Sequence, residues 1–102
     1  MKTLLVRYKL LPERVEENER LVRAVFERLT ASRPSGVRYA TFKAADGLTF
    51  FHLARIEAPS GANPLAELEE FKAFTARIAE RCAEPPVTTV LEEVGAYAVF
   101  QP

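Results

Sequence analysis

The hydrophobic and polar positions of this chain repeat with two different periods, and the changes of period divide it into six elements. Alternation with a period of two predicts strands over Thr3–Leu11, Val37–Ala44 and Leu48–Glu57. Helical spacing predicts one helix over Pro12–Ala31 and a second from Pro64 to a point before Glu84. The last segment, Val87–Phe100, is strand-like, with a bulge or bend expected at Gly95. The predicted order is β-α-β-β-α-β.

Proline, glycine and small polar residues mark the element ends. Pro12 suits the first turn of a helix, and Asp46-Gly47 is typical of a hairpin turn. Asn63 followed by Pro64 predicts a capped helix start. The apolar stripe of the second helix extends to Cys82, which we expect in its last turn as a packing residue.

This order is that of a ferredoxin-like α+β fold, with a four-stranded antiparallel sheet and both helices on one face. We expect a single domain over residues 1–102. The other sheet face has no helix to cover it, and the sequence places on it apolar residues interleaved with cations: Leu5, Leu11, Phe51 and Leu53 with Arg7, Lys9 and Arg55. An amphipathic face of this kind predicts a homodimer that packs sheet against sheet.

Composition and charge exclude several function classes. The chain has 102 residues, 48% hydrophobic and 27% charged, as an ordinary globular domain has. Its 14 Lys+Arg balance 14 Asp+Glu, so no net field favours nucleic acid. A single Cys and a single His cannot form a disulfide framework or a zinc site, and we expect no metal or cofactor, in a reducing cytoplasm. Charged residues within the N-terminal apolar run argue against a signal peptide or a membrane span.

Four segments carry a resemblance that covers nearly the whole chain: TLLVRYKLLP, ERVEENERL, YATFKAADGLTFFHLARIE and LEEFKAFTARI. With them the chain resembles the dimeric α+β barrel superfamily, and within it the antibiotic biosynthesis monooxygenase-like group. The resemblance implies the fold and the dimer. That group includes cofactor-independent oxygenases of polycyclic phenols, quinol oxygenases, haem-degrading enzymes and small proteins of no known activity.

The resemblance does not carry every activity of the group. The haem-degrading branch uses an asparagine, a tryptophan and a histidine where this chain has Val6, Ile56 and Thr75, and the chain has no Trp at all. Neither haem degradation nor the Trp-containing phenol pocket is therefore implied. The comparison does indicate that the ligand cleft of the group lies on the sheet face of Val6 and Ile56, which is also the face of Tyr8 and His52.

Three residues are candidates for chemistry on that face. His52 could be a general base that deprotonates a phenol or enol, or a half-buried strand histidine bonded to a backbone carbonyl. Tyr8 could orient a substrate oxygen, or pack its ring and direct its hydroxyl to water. Asn18 interrupts the apolar stripe of the first helix, so its amide either faces a polar pocket or lies in solvent near the helix start.

Two functions follow from these alternatives. One is a cofactor-independent monooxygenase-like enzyme that acts on a small aromatic or enolic substrate, with His52 as base and Tyr8 and Asn18 as orienting groups. The other is a non-catalytic dimeric module that binds a small molecule or has a structural role. A ligand cavity of roughly 300 Å³ or more with converging polar groups would favour the first.

Overall fold

The computed structural model describes residues 2–57 and 62–99, and it confirms the predicted α+β fold. Its strands and α-helices are β1 (Lys2–Leu10), α1 (Val15–Ser32), β2 (Val37–Lys43), β3 (Thr49–Ile56), α2 (Glu69–Thr75) and β4 (Cys82–Leu91). Short 3₁₀ turns precede α1 at Pro12–Arg14 and β4 at Ile78–Arg81. The strands form one antiparallel sheet in the order β2-β3-β1-β4.

The hydrophobic core lies between this sheet and the two helices. The strands contribute Tyr8, Leu10 and Phe50, while α1 contributes Val22 and Val25 and α2 contributes Phe74, all of them buried. Phe26 and Phe71 pack against the same cluster, as expected for aromatic residues at helical spacing.

The second helix is much shorter than predicted, and the placement of Cys82 in its last turn was wrong. Asn63 does accept a hydrogen bond at 3.1 Å from the Ala66 N–H, but it caps an isolated turn, and α2 begins only at Glu69. The helix ends because Ala76 is extended and Arg77 adopts a left-handed φ of 57°. Cys82 is consequently the first residue of β4.

The last strand lies earlier in the chain than predicted. Pro85 and Pro86 fall within β4, where they are tolerated because β4 is an edge strand and its pairing with β1 is irregular between Lys9 and Arg7. β4 ends at Leu91, which is opposite Thr3 near the start of β1. None of the described strands pairs with residues 92–99, which are exposed, so the bulge expected at Gly95 was wrong. Phe100 lies outside the described residues.

The sheet face away from the helices is amphipathic, as predicted. Leu5, Phe51 and Leu53 are half-buried there by their neighbours on the sheet, and Val87 of β4 is 59% exposed. Leu11 lies just beyond the end of β1. Two of the three cations of this face are paired within the chain: Arg7 Nη1 is 2.8 Å from Glu84 Oε1, and Arg55 Nη2 is 2.6 Å from Glu93 Oε1.

Neither α1 nor α2, nor any other described helical segment, is both long and apolar enough to cross a membrane.

Candidate functional site

Tyr8 and His52 meet on the helix-facing side of the sheet. In the β1–β3 register His52 is opposite Val6 and Tyr8 is opposite Phe50, so Tyr8 and His52 are diagonal neighbours. The Tyr8 hydroxyl lies 2.8 Å from Nε2 of His52. The shared face predicted for these two residues is confirmed, whereas a Tyr8 hydroxyl directed to water was wrong, since Tyr8 is fully buried.

Asn18 joins this pair from α1. Its side chain is fully buried, and its Nδ2 donates to the Tyr8 hydroxyl at 2.9 Å. Its Oδ1 accepts a hydrogen bond from Arg81 Nε at 3.2 Å. The alternative of a solvated Asn18 near the helix start is therefore wrong, and the three residues predicted from the sequence form one hydrogen-bonded group.

Arg81 fixes the orientation of the Asn18 amide, and with it the direction of the bond between Asn18 and Tyr8. A guanidinium can only donate, so Asn18 must present its oxygen to Arg81 and its NH₂ to Tyr8. The Tyr8 oxygen then accepts from Asn18, and we assign its own proton to the bond with Nε2 of His52, the acceptor within reach. Nε2 is thus an acceptor, and the proton of the neutral imidazole is assigned to Nδ1.

The other ring nitrogen of His52 faces β2. Its Nδ1 lies 2.6 Å from the Tyr39 hydroxyl and 2.9 Å from the Thr41 hydroxyl, which can accept its proton. A directed chain of hydrogen bonds therefore crosses the core, from Arg81 before β4 through Asn18, Tyr8 and His52 to β2.

The sequence reasoning missed Arg81, Tyr39 and Thr41 as members of this chain. A signal for Thr41 existed, because the Asp46-Gly47 turn fixes the hairpin register that puts Thr41 opposite His52. Tyr39 lies two residues before Thr41 on β2 and therefore on the same face of the sheet. Arg81 had no comparable signal, since its position depends on where α2 ends.

Aromatic rings enclose the imidazole. The ring centroids of Tyr8, Tyr39 and Phe74 lie 5.3, 5.7 and 5.0 Å from that of His52. Burial among them lowers the pKa of His52 to about 4, raises that of Tyr39 to about 12, and raises the pKa of Tyr8 as well. The expected alternative, a histidine bonded to a backbone carbonyl, was wrong: its side-chain bonds go to hydroxyl groups.

Two surface cavities touch the ends of this chain of hydrogen bonds. One, of about 580 Å³, lies between α1 and the segment from α2 to β4, and Arg81 is part of its wall. The other, of about 230 Å³, lies between α1 and β2 and is lined by Phe26, Val37 and Tyr39 among others. His52, Tyr8 and Asn18 line neither of them, so neither is the ligand cavity with these polar groups that would favour the first function. Within the described ranges, no three His, Cys, Asp or Glu side chains cluster as metal ligands would.

The fold is that of the antibiotic biosynthesis monooxygenase-like proteins, as the resemblance of the sequence predicted. Among solved structures, Rv0793 of Mycobacterium tuberculosis matches with a TM-score of 0.74 and 19% identity, over 93% of this chain and 96% of that one.

Two further solved structures support the same fold. A protein named antibiotic biosynthesis monooxygenase matches with a TM-score of 0.74 and 16% identity, over 93% of this chain and all of the other. PA3566 of Pseudomonas aeruginosa matches at 0.71 and 20% identity, over 92% and 94%. No family model and no curated protein sequence matches the chain. At these identities the likeness establishes the fold alone.

Proposed function

We propose that this protein is a cofactor-independent monooxygenase-like enzyme that acts on a small aromatic or enolic substrate. One observation carries the proposal: the hydrogen bonds from Arg81 and Asn18 leave Nε2 of a neutral His52 as the acceptor of the Tyr8 proton. A substrate hydroxyl that binds at Tyr8 gives its proton to the Tyr8 oxygen while Tyr8 passes its own to His52. Asn18 stabilises the Tyr8 oxygen during this exchange.

The low pKa of His52 determines how acidic the substrate hydroxyl must be. Its pKa of about 4 lies well below that of a simple phenol, so taking the proton of such a phenol is costly. An enol or polyphenol whose own pKa lies near 5 removes most of that cost. We therefore expect an acidic enol or phenol, such as an enolised 1,3-diketone, rather than a simple hydroquinone.

The reaction balances without a separate reductant. Loss of the hydroxyl proton gives an enolate, whose carbon reacts with O₂, and the CH₂ group of the keto form becomes C=O. One oxygen atom of O₂ forms the new carbonyl, while the other leaves as water with the two hydrogens of the CH₂ group. The substrate supplies all four electrons, and the proton held by His52 returns in the water.

Access is proposed from the cavity of about 580 Å³. Arg81 lies between this cavity and Asn18. The segment before it is a single 3₁₀ turn, and Arg77 at its start has a left-handed conformation that is uncommon for residues other than glycine. Movement of the turn Ile78–Arg81 would connect the cavity to the Tyr8 hydroxyl.

Oxygen uptake tests this proposal. Enolised cyclic 1,3-diketones, anthrones and hydroquinones are supplied to the wild type and to His52→Gln, with Tyr97→Phe as control because Tyr97 is 94% exposed. We expect uptake with the most acidic substrates, about 100-fold slower in His52→Gln and unchanged in the control. Uptake that His52→Gln leaves unaltered would refute the role of His52.

The second candidate is a non-catalytic dimeric module. It is favoured by the closed packing of the site, because Tyr8 and Asn18 are fully buried and His52 is only 3% exposed. Their hydrogen bonds are satisfied within the chain. This candidate predicts no oxygen uptake with any member of the panel.

Under either function we propose a homodimer through the helix-free sheet face. Leu5, Phe51 and Leu53 form its apolar centre, with Arg7 and Arg55 paired at its margins.

A further inference from the structure

Arg81 is a buried cation at the wall of a surface cavity. Only 3% of the residue is exposed, and its guanidinium lies 5.7 Å from the centre of the Phe74 ring. Besides the bond to Asn18, Nη2 donates to the Phe74 carbonyl at 2.5 Å and Nη1 to the Ala76 carbonyl at 3.4 Å. An arginine side chain has five N–H donors. Three of those of Arg81 have acceptors in the described part of the chain, and the other two remain available to a ligand.

All three hydrogen-bond acceptors of Arg81 are neutral oxygens. Of the carboxylates in the described part of the chain, none lies within 4 Å of Arg81. The nearby acids of the cavity have other partners: Glu17 pairs with Arg14 at 2.8 Å and Glu80 with Arg77 at 2.7 Å. These pairs cancel, so Arg81 gives the cavity a net charge of one. Because a buried cation without a counter-ion is costly, an anion bound here would stabilise the site.

The rest of the wall indicates what kind of anion fits. Leu21, Ala73 and Ala76 give the cavity an apolar side, and its volume of about 580 Å³ accepts a molecule of ten to twenty heavy atoms. A planar guanidinium with free N–H donors matches a carboxylate in shape as well as in charge. We propose that this cavity binds a small organic carboxylate, with its anionic group on Arg81 and its apolar body against α1 and α2.

Binding at this site requires no turnover, so the inference stands or fails separately from the proposed oxygenase. The experiment is an amide NMR titration of the full chain with sodium benzoate, at constant ionic strength, with benzamide as the uncharged analogue of the same shape. We expect saturable shifts of the Ala73, Ala76 and Arg81 amides with benzoate only. Equal shifts with benzamide, shifts elsewhere, or none at all would overturn the proposal.

Substitution of Arg81 is expected to destabilise the fold, so the second test of the binding site leaves Arg81 in place. It introduces a negative charge into the cavity wall instead. Ala73 is exposed and lines the cavity, so Ala73→Glu puts a competing carboxylate beside the ligand. We expect Ala73→Glu to weaken benzoate binding by at least about fivefold. Ala66→Glu makes the same change at an exposed position outside the cavity wall and should leave binding within about twofold. Equal weakening by both variants would contradict the assignment.

Discussion

His52 is neutral because of what surrounds it rather than because of any nearby charge. Burial is the cause that lowers its pKa to about 4, and three aromatic rings provide that burial. Each ring nitrogen has a hydroxyl partner, so the neutral form is fully hydrogen-bonded, whereas protonation would place an uncompensated charge in the core.

This environment predicts a specific dependence of stability on pH. The pKa falls from 6.5 in the unfolded chain to about 4 in the fold, so the unfolded state binds a proton first as the pH is lowered. The stabilising effect is complete above pH 6.5 and declines by about 3 kcal/mol as the pH reaches 4. Urea denaturation at pH 7 and 4.5 should show this decline in the wild type and its absence in His52→Gln. An identical decline in both would show that His52 is not its source.

The Tyr8 hydroxyl links two buried polar groups, and its removal should be costly. Tyr8→Phe leaves Asn18 Nδ2 and His52 Nε2 without this partner, and we expect a loss of about 2–4 kcal/mol in unfolding free energy. Tyr97→Phe is the matched control, because Tyr97 is 94% exposed and should lose less than about 0.5 kcal/mol. Chemical denaturation gives the unfolding free energy of both variants. Equal losses in Tyr8→Phe and Tyr97→Phe would contradict a stabilising role for the Tyr8 hydroxyl.

At the level of elements, the hairpin of β2 and β3 positions His52 and its two hydroxyl partners, Tyr39 and Thr41. Asp46 accepts hydrogen bonds from the N–H groups of Leu48 and Thr49 and from the Thr49 hydroxyl, at 2.7 to 2.9 Å. These bonds lower the pKa of Asp46 to about 2. They also hold the register that places Thr41 opposite His52.

Loss of the Asp46 carboxylate should therefore weaken the hairpin. The carboxylate is stabilising above its ordinary pKa of 3.8, and this effect is lost as the pH falls through about 2. At pH 7 we expect Asp46→Ala to lower the thermal midpoint and Asp46→Asn, which keeps a side-chain acceptor, to lower it less. A midpoint that is unchanged in Asp46→Ala would contradict this role.

The sequence predicted the strands and the first helix well but not the second helix. Local alternation and the Asp46-Gly47 turn determine β2 and β3, so both could be predicted within one or two residues. The stripe from Leu65 to Cys82 has helical spacing, yet the helix ends at Thr75, where the carbonyls of Phe74 and Ala76 accept hydrogen bonds from Arg81. Arg81 is itself held by Asn18 of α1, a contact between distant parts of the chain that no local pattern reveals.

The same distinction explains how much of the site could be predicted. Strand parity and the helical stripe suffice to bring His52, Tyr8 and Asn18 to one place, because each depends on a single element. Arg81 depends on the end of α2 and on the early start of β4, both of which were predicted wrongly. The closed packing of the site follows from how Phe74 fills the core, which periodicity alone does not determine.

For the whole molecule, the uncovered sheet face determines the expected assembly. A dimer that buries roughly 800 Å² per chain would have the size of a specific interface. Light scattering at micromolar concentration should give twice the chain mass of 11.4 kDa. Leu53→Asp should yield monomer or unfolded chain, since an unpaired charge in an apolar interface costs several kcal/mol. Thr30→Asp, at an exposed position of α1, should remain dimeric. A monomeric wild type would refute the dimer.

The direction of the hydrogen bonds through the core is the feature on which the proposed chemistry depends. Long-range ¹H–¹⁵N NMR of the His52 ring measures it directly, because the two ring nitrogens have different shifts in each tautomer and in the protonated ring. At pH 7 and down to about pH 5 we predict a neutral ring with its proton on Nδ1 and a bare, hydrogen-bonded Nε2. A ring protonated at pH 6, or a neutral ring with its proton on Nε2, would contradict the proton transfer from Tyr8 to His52.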